Sequence, residues 1–168
     1  MSVRASQEDP AFLLTCHPDT VALYGYWREK RGERLMPRRS DIDPTEIPPR
    51  LLPGITLVDV VSDERRYIYR LVGTGDVQAR GLDPTGKSVL EGFFGPSAED
   101  ALGCYDRVVA TQAPILDPVP FTAVNGRYAM EETLFLPLSD DGVTVNKIMV
   151  FFAYREIFDL DAVPKRDA

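Results

Sequence analysis

The strongest constraint on the fold is the grouping of five β-strand patterns around a helical middle. Two patterns rich in β-branched and aromatic residues precede residue 74, and three more follow residue 113. They are ITLVDVV (55–61), YIYRLVG (67–73), PILDPVPFTAV (114–124), RYAMEETLFLPL (127–138) and VTVNKIMVFFAYRE (143–156). Asn125-Gly126 joins two of them and is among the strongest short hairpin signals. The arrangement predicts an α+β fold with a five-stranded antiparallel sheet and helices on one face.

Helical patterns occupy the segments before and between the two groups of strands. His17-Pro18-Asp19 is typical of a helix start, and a wide apolar stripe follows it up to Arg31-Gly32. The first two strands are apolar on both faces, so we expect this N-terminal helix to cover the face that the other helices leave open. Ser97 is the expected N-cap of a second long helix over 97–112, and the glycines and prolines of 74–96 allow only short helical turns.

The chain divides into four regions by composition. Residues 1–16 are typical of a flexible tail, 17–53 hold the N-terminal helix and a proline-rich connector, 54–156 hold the sheet and its helices, and 157–168 form a charged C-terminal tail. At 168 residues the chain has the size of one domain, and roughly 70% of its unfolded surface can be buried without a disulfide.

Charge and cysteine content argue against several classes of protein. The formal net charge is −7, which opposes binding to nucleic acid even though residues 28–39 are locally basic. The longest apolar runs, such as residues 148–154, are too short to span a bilayer, and the first residues lack a signal-peptide core. Cys16 and Cys104 show neither disulfide-scaffold nor zinc-site spacing. We therefore expect a cytoplasmic protein.

Five stretches resemble a bacterial family of compact PAS-like proteins found mainly in alphaproteobacteria. They are LYGYWREKRG (23–32), LMPRRSDIDPTEIPPRLLPGITLVDVV (35–61), YRLVGT (69–74), GLDPTGKS (81–88) and LFLPLSDDG (134–142). The resemblance covers about residues 20–155. It implies a PAS fold and a stand-alone sensory or regulatory role in signal transduction, exerted through protein–protein contacts with a signalling partner, rather than a defined reaction.

The sequence identifies no cofactor or metal. A haem needs an axial ligand from the helical block, and His17 lies at the start of the N-terminal helix instead. A flavin photosensor of the LOV type needs its motif around a reactive cysteine, and Cys104 lies in a different context, so we expect neither haem nor LOV-type flavin. Asp140-Asp141-Gly142 is acidic but is typical of a hairpin turn rather than a metal site.

An apolar or amphipathic pocket between sheet and helices is the remaining binding hypothesis, with simple core packing as its alternative. The candidate lining residues are Tyr67, Tyr69, Leu71, Phe93, Phe94, Leu102, Tyr105 and Val109, with Arg70 and Arg155 as candidate polar anchors. The N-terminal helix is in addition a candidate homodimer contact through Tyr24, Trp27, Arg28 and Arg31.

An enzyme of the cone-shaped isomerase or dehydratase type is the alternative function. Such sites pair a buried carboxylate base with tyrosine acids, and here Glu131 or Glu132 with Tyr69 or Tyr105 would be the pair. The order of elements argues against this fold, so we expect a protein without enzymatic activity.

Overall fold

The computed structural model describes residues 8–93, 97–122, 126 and 128–156. The helices are α1 (Pro18–Arg31), α2 (Thr74–Arg80), α3 (Val89–Gly92) and α4 (Ala98–Thr111). The strands are β1 (Ile55–Val60), β2 (Tyr67–Leu71), β3 (Ile115–Thr122), β4 (Tyr128–Leu138) and β5 (Lys147–Glu156). Short 3-10 helices lie at Ala11–Leu14, Arg39–Asp41, Pro44–Glu46 and Pro49–Gly54. No helix in the described part of the chain is long and apolar enough to cross a membrane.

The five strands form one antiparallel sheet in the order β2-β1-β5-β4-β3. Its centre is the pairing of β1 with β5, which places Ile55 opposite Phe151 and Asp59 opposite Lys147. The hairpin of β1 and β2 therefore flanks β5 on one side, and β4 and β3 flank it on the other. The predicted α+β fold with a five-stranded antiparallel sheet is confirmed.

The two faces of the sheet are covered by different helices. On β4, Glu132 contacts α1 whereas Phe135 packs against Tyr105 of α4. Alternate residues of a strand point to opposite faces. We call the face covered by α1 the outer face and the face covered by α2, α3 and α4 the inner face.

The outer-face helix α1 is held by its apolar stripe and by defined ends. Leu23, Tyr24 and Trp27 are buried, as the stripe predicts. The helix begins with a cap from the His17 side chain, whose Nδ1 accepts a hydrogen bond from the backbone N–H of Asp19 at 3.0 Å. It ends at Gly32, whose φ of +59° places it in the region that favours glycine.

The last strand begins later than its pattern predicts, at Lys147 rather than at residue 143. The Asp141 carboxylate accepts the backbone N–H groups of Val143 at 2.8 Å and Thr144 at 2.7 Å. These amides are bound to a side chain, so they cannot join the ladder with β4. The same bonds lower the pKa of Asp141 to about 2.

Both edges of the sheet are protected. On the β2 edge, Tyr69 exchanges backbone hydrogen bonds with the loop before α3, its N–H donating to Lys87 at 3.0 Å and its carbonyl accepting from Gly86 at 2.7 Å. The β3 edge contains Pro118 and Pro120, which have no N–H to donate. Neither edge offers a full set of donors and acceptors to another strand.

Gly73 precedes α2 where the chain passes close to the connector, and this approach gives a first prediction. A Cβ at Gly73 would lie 2.3 Å from the carbonyl oxygen of Pro53 and 2.6 Å from that of Ile55. We expect Gly73→Ala to lower the free energy of unfolding by about 3 kcal/mol, because backbone atoms must move to admit the methyl group. Chemical denaturation of the purified chain measures this loss.

Gly25 of α1 is the matched control. It is exposed in the middle of the helix, and a Cβ there would meet no atom within 4 Å. Gly25→Ala should therefore raise stability by about 0.5–1 kcal/mol through helix propensity. Equal effects of the two substitutions would contradict the close approach at Gly73.

Candidate functional site

An aromatic cluster lines the inner face between the sheet and α4. Tyr67 of β2 stacks on Tyr105 of α4 with ring centroids 5.0 Å apart, and Phe135 of β4 meets Tyr105 edge-on at 5.1 Å. All three are buried. The period-two pattern of the strands and the apolar stripe of α4 bring these rings together, as the sequence predicts for Tyr67 and Tyr105.

Arg80, at the end of α2, ties the short helices to the sheet. Its Nε donates to Asp76 Oδ1 at 3.0 Å, and Nη1 donates to the carbonyl of Gly92 in α3. Its Nη2 donates to the Tyr69 hydroxyl at 3.3 Å, and its guanidinium lies 4.9 Å from the centre of that ring. Thr56 of β1 adds a hydrogen bond from its hydroxyl to Asp76 Oδ2 at 3.4 Å. A polar network thus crosses the inner face.

The Tyr105 hydroxyl lies close to this network but is not part of it. The side chain is only 4% exposed, and its oxygen forms no hydrogen bond with any residue that the structure describes. Burial, with smaller effects from Tyr69, Arg80 and Asp76, raises the pKa of Tyr105 well above its ordinary value. Tyr105 therefore presents a neutral hydroxyl from a largely buried side chain on the inner face.

The consecutive residues Glu131 and Glu132 of β4 point to opposite faces. Glu132 is 2% exposed on the outer face, where its two oxygens accept the His17 N–H at 2.9 and 3.0 Å. The Oε2 atom also accepts the hydroxyl of Thr20 at 2.8 Å. Glu131 faces the inner side and reaches solvent, yet the protein around it and the charge of Asp76 raise its pKa.

A groove of about 320 Å³ lies at the end of the β1–β2 hairpin, next to α4. Its apolar walls are Val60, Val61, Tyr67, Val109 and Ala110, and the charged pair Arg66 and Asp106 lies at its rim. Asp106 also accepts the Tyr67 hydroxyl, and burial together with this bond raises the pKa of Tyr67 to about 12. Arg66 has a φ of +59°, which is strained for a residue with a side chain.

Comparison with protein-family models gives one match, which spans residues 15–152 and is described as a PAS domain. The match extends over most of the chain, from the start of α1 into β5. The chain belongs to the PAS domain family. Membership in this family and the fold together identify the chain as a sensory type of module.

Solved structures similar to this PAS domain include several LOV photoreceptor domains. One is the light state of the Aureochrome1 LOV domain, at 10% identity and a TM-score of 0.45, covering 66% of this chain and 86% of that one. Another is the LOV domain of a blue-light-activated histidine kinase from Erythrobacter litoralis, at 14% identity and a TM-score of 0.45, covering 64% and 100%. A third comes from work on a flavin analogue in a light-oxygen-voltage domain, at 11% identity and a TM-score of 0.45, covering 66% and 81%. No curated protein matches the chain.

The sequence analysis excluded a LOV-type flavin, and this exclusion is wrong. It relied on the missing motif around a reactive cysteine, whereas the similar solved structures are LOV domains, one of them studied with a flavin analogue. The motif concerns the photochemistry of the cysteine, and its absence does not test whether the fold can hold the ring system. At these identities the likeness concerns the fold, and it assigns no flavin to this chain.

The other predicted pocket residues lie in different parts of the PAS fold. Tyr69 and Val109 lie with the aromatic cluster on the inner side, and Phe93 and Leu102 are partly buried against the core. Leu71 is 51% exposed, because β2 has an irregular register in which Val58 pairs with Tyr69 but Leu57 with Leu71. The extra residue, Arg70, turns to the outer side and pairs with Asp59. Phe94 and the side chain of Arg155 lie outside the described residues.

The predicted dimer contacts on α1 also differ in their exposure. Tyr24 and Trp27 are buried against the protein's own sheet, and Arg31 lies over the Trp27 ring at 5.6 Å. Arg28 is about half exposed and pairs with Asp9 at 2.7 Å.

Sequence reasoning missed Arg80, although Asp76 and Arg80 stand at the i,i+4 spacing of a helical ion pair.

Proposed function

We propose that this PAS domain is a regulatory module that is tuned by a small ligand on its inner face and acts through protein–protein contacts. The observation that carries the proposal is the Tyr105 side chain, which is only 4% exposed and whose hydroxyl forms no hydrogen bond to the described residues. A ligand or an ordered water on the inner face would supply the missing partner.

Exposed apolar side chains on the helical block support the protein contact. Leu82, between α2 and α3, is 53% exposed, and Leu90 of α3 is 66% exposed. Ligand binding beneath α2 and α3 would move this surface through the bonds of Arg80 to Asp76 and Gly92. Signal would then pass to a partner protein without any chemical reaction.

We also propose a homodimer, located in the cytoplasm of an alphaproteobacterium, as the sequence resemblance suggests. Tyr24 and Trp27 are occupied by the protein's own core, so the dimer would use the exposed side of α1 that carries Arg28. Light scattering of the wild type and of Arg28→Glu measures this. A strict monomer in the wild type would contradict the dimer.

The ligand proposal is tested with the full purified chain. Native mass spectrometry and an absorption spectrum should reveal bound molecules, and thermal unfolding should respond to at least one probe among FMN, cyclic di-GMP, benzoate and benzylamine. Tyr105→Phe should reduce the response at least tenfold in affinity, because it removes the free hydroxyl and little else.

Tyr67→Phe is the matched control, since it removes a tyrosine hydroxyl that already bonds to Asp106. It should lower stability by about 1–2 kcal/mol and leave probe affinity unchanged. A protein with no bound mass, no absorption beyond that of its own aromatic residues and no response to any probe would overturn the proposal.

A further inference from the structure

The groove at the end of the β1–β2 hairpin carries one charge of each sign at its rim. Arg66 of the hairpin pairs there with Asp106 of α4, and about half of each side chain is exposed. The walls are apolar side chains of the hairpin and of α4, namely Val60, Val61, Tyr67, Val109 and Ala110. With about 320 Å³, the groove lies at the lower end of the range for small-molecule sites, roughly 300–1,000 Å³.

The turn between β1 and β2 holds Arg66 in place. Its φ of +59° is a conformation that residues with a side chain rarely adopt. The Arg66 N–H donates to the carbonyl of Asp63 at 3.1 Å, and the Arg66 carbonyl accepts the N–H of Val61 at 2.8 Å. The guanidinium lies 5.3 Å from the centre of the Tyr67 ring. The turn therefore fixes Arg66 over the aromatic wall of the groove, against α4.

Asp106 is held by two partners that use the same oxygen atom. Its Oδ1 accepts hydrogen bonds from Arg66 Nη2 and from the Tyr67 hydroxyl. The Tyr67 ring is in turn stacked on Tyr105, with ring centroids 5.0 Å apart. Among the residues that the structure describes, no donor binds Asp106 Oδ2 and no acceptor binds Arg66 Nε or Nη1. The pair thus presents an acceptor and two donors side by side.

A zwitterion complements this rim better than a ligand with a single charge. An anion would be attracted by Arg66 and repelled by Asp106, and a cation would meet the reverse. One carbon atom joins the ammonium and carboxylate groups of an α-amino acid, so these groups can bind a neighbouring acceptor and donor at the same time. The apolar walls add a surface that gains from burying a hydrocarbon side chain.

We infer that this groove binds a free α-amino acid with an aliphatic side chain of about the size of leucine. Arg66 holds the α-carboxylate, Asp106 Oδ2 accepts from the α-ammonium, and the side chain lies against the apolar walls. Tyr105 is not among the residues that line the groove, so the inference goes beyond the proposed function and does not depend on it. The bound amino acid would add a second bridge between the hairpin and α4.

Five probes test each part of this ligand on the full purified chain. L-Leucine has all three groups, 3-methylbutylamine lacks the carboxylate, 4-methylpentanoate lacks the ammonium and glycine lacks the side chain. N-Acetyl-L-leucine amide keeps the side chain without free charges and represents a leucine within a partner protein. Isothermal titration calorimetry should show binding of L-leucine, and the other four probes should bind at least tenfold more weakly.

Two substitutions with matched controls test the charged pair. Arg66→Gln should weaken leucine binding at least tenfold, whereas Arg65→Gln removes the same charge from a neighbour that pairs with Asp63 outside the groove and should leave the affinity unchanged. Asp106→Asn keeps the shape of the side chain and should also weaken binding at least tenfold. Glu64→Gln, in the same exposed turn, is its control. Circular dichroism and the melting temperature of each variant establish that it folds.

Several results would overturn the assignment. Absence of leucine binding to the folded wild type would do so directly. If 3-methylbutylamine or 4-methylpentanoate bound as tightly as leucine, the ligand would not be a zwitterion. Equal binding of N-acetyl-L-leucine amide would make the groove a site for a side chain of a partner protein. Unchanged leucine affinity in folded Arg66→Gln or Asp106→Asn would place the binding elsewhere on the chain.

Discussion

Trp27→Ala should lower the free energy of unfolding by about 3–5 kcal/mol, the range for removing a fully buried large aromatic side chain. Trp27 is 1% exposed on the outer face, and its ring lies 5.9 Å from that of Tyr24. Its Nε1 donates a hydrogen bond to the carbonyl of Pro137 at 3.0 Å. The substitution removes this bond as well as the packing, and denaturant titration measures the loss.

Two further substitutions separate the contributions of packing and of the hydrogen bond. Trp27→Phe keeps most of the ring but leaves the Pro137 carbonyl without its donor, so it should cost less than Trp27→Ala. Val21→Ala changes an exposed position of the same helix and should stay within about 0.5 kcal/mol of the wild type. If Trp27→Ala were as mild as Val21→Ala, α1 would not cover the sheet in solution.

Glu132→Ala should cost about 2–4 kcal/mol, because two buried donors lose their acceptor at once. The Glu132 carboxylate binds the His17 N–H and the Thr20 hydroxyl, and the first turn of α1 gains from the negative charge. The loss should be concentrated in α1. Hydrogen exchange should therefore accelerate in residues 18–31 more than in β4 or β5.

Glu131→Ala is the matched control, since it changes the adjacent glutamate on the opposite face. Glu131 forms no hydrogen bond with the residues that the structure describes, and the charge of Asp76 raises its pKa, so the change should be close to zero or slightly stabilising. Thr20→Val should reproduce part of the Glu132→Ala effect because it removes one of the two donors. Equal effects of Glu131→Ala and Glu132→Ala would show that Glu132 does not hold α1.

The sequence predicts those parts of the fold that depend on neighbouring residues. The Ser97 cap of α4 and the glycine at the end of α1 are local signals, and both lie where the patterns place them. The register of β2 is not local, because the irregularity opposite Leu57 and Val58 arises from pairing two strands. This irregularity is the reason that Leu71 left the predicted pocket face.

The candidate site was predictable only in its aromatic part. Tyr67, Tyr69 and Tyr105 follow from strand and helix periodicity. The different roles of Glu131 and Glu132 depend on which helix covers which face, and two adjacent glutamates look alike in a sequence. The contact between Thr20 and Glu132 joins residues 112 positions apart, a separation that no local pattern encodes.

The central pairing of β1 with β5 has a consequence for how the chain acquires its structure during synthesis. It joins residues about ninety positions apart, so β1 and β2 must wait until nearly all of the sheet has been made before they gain their long-range neighbour. Until then, α1 and the hairpin have only a partial core to cover, and their apolar residues remain open to other chains. We expect folding to be slow for a protein of this size, and a growing chain to depend on chaperones until residues 147–151 emerge.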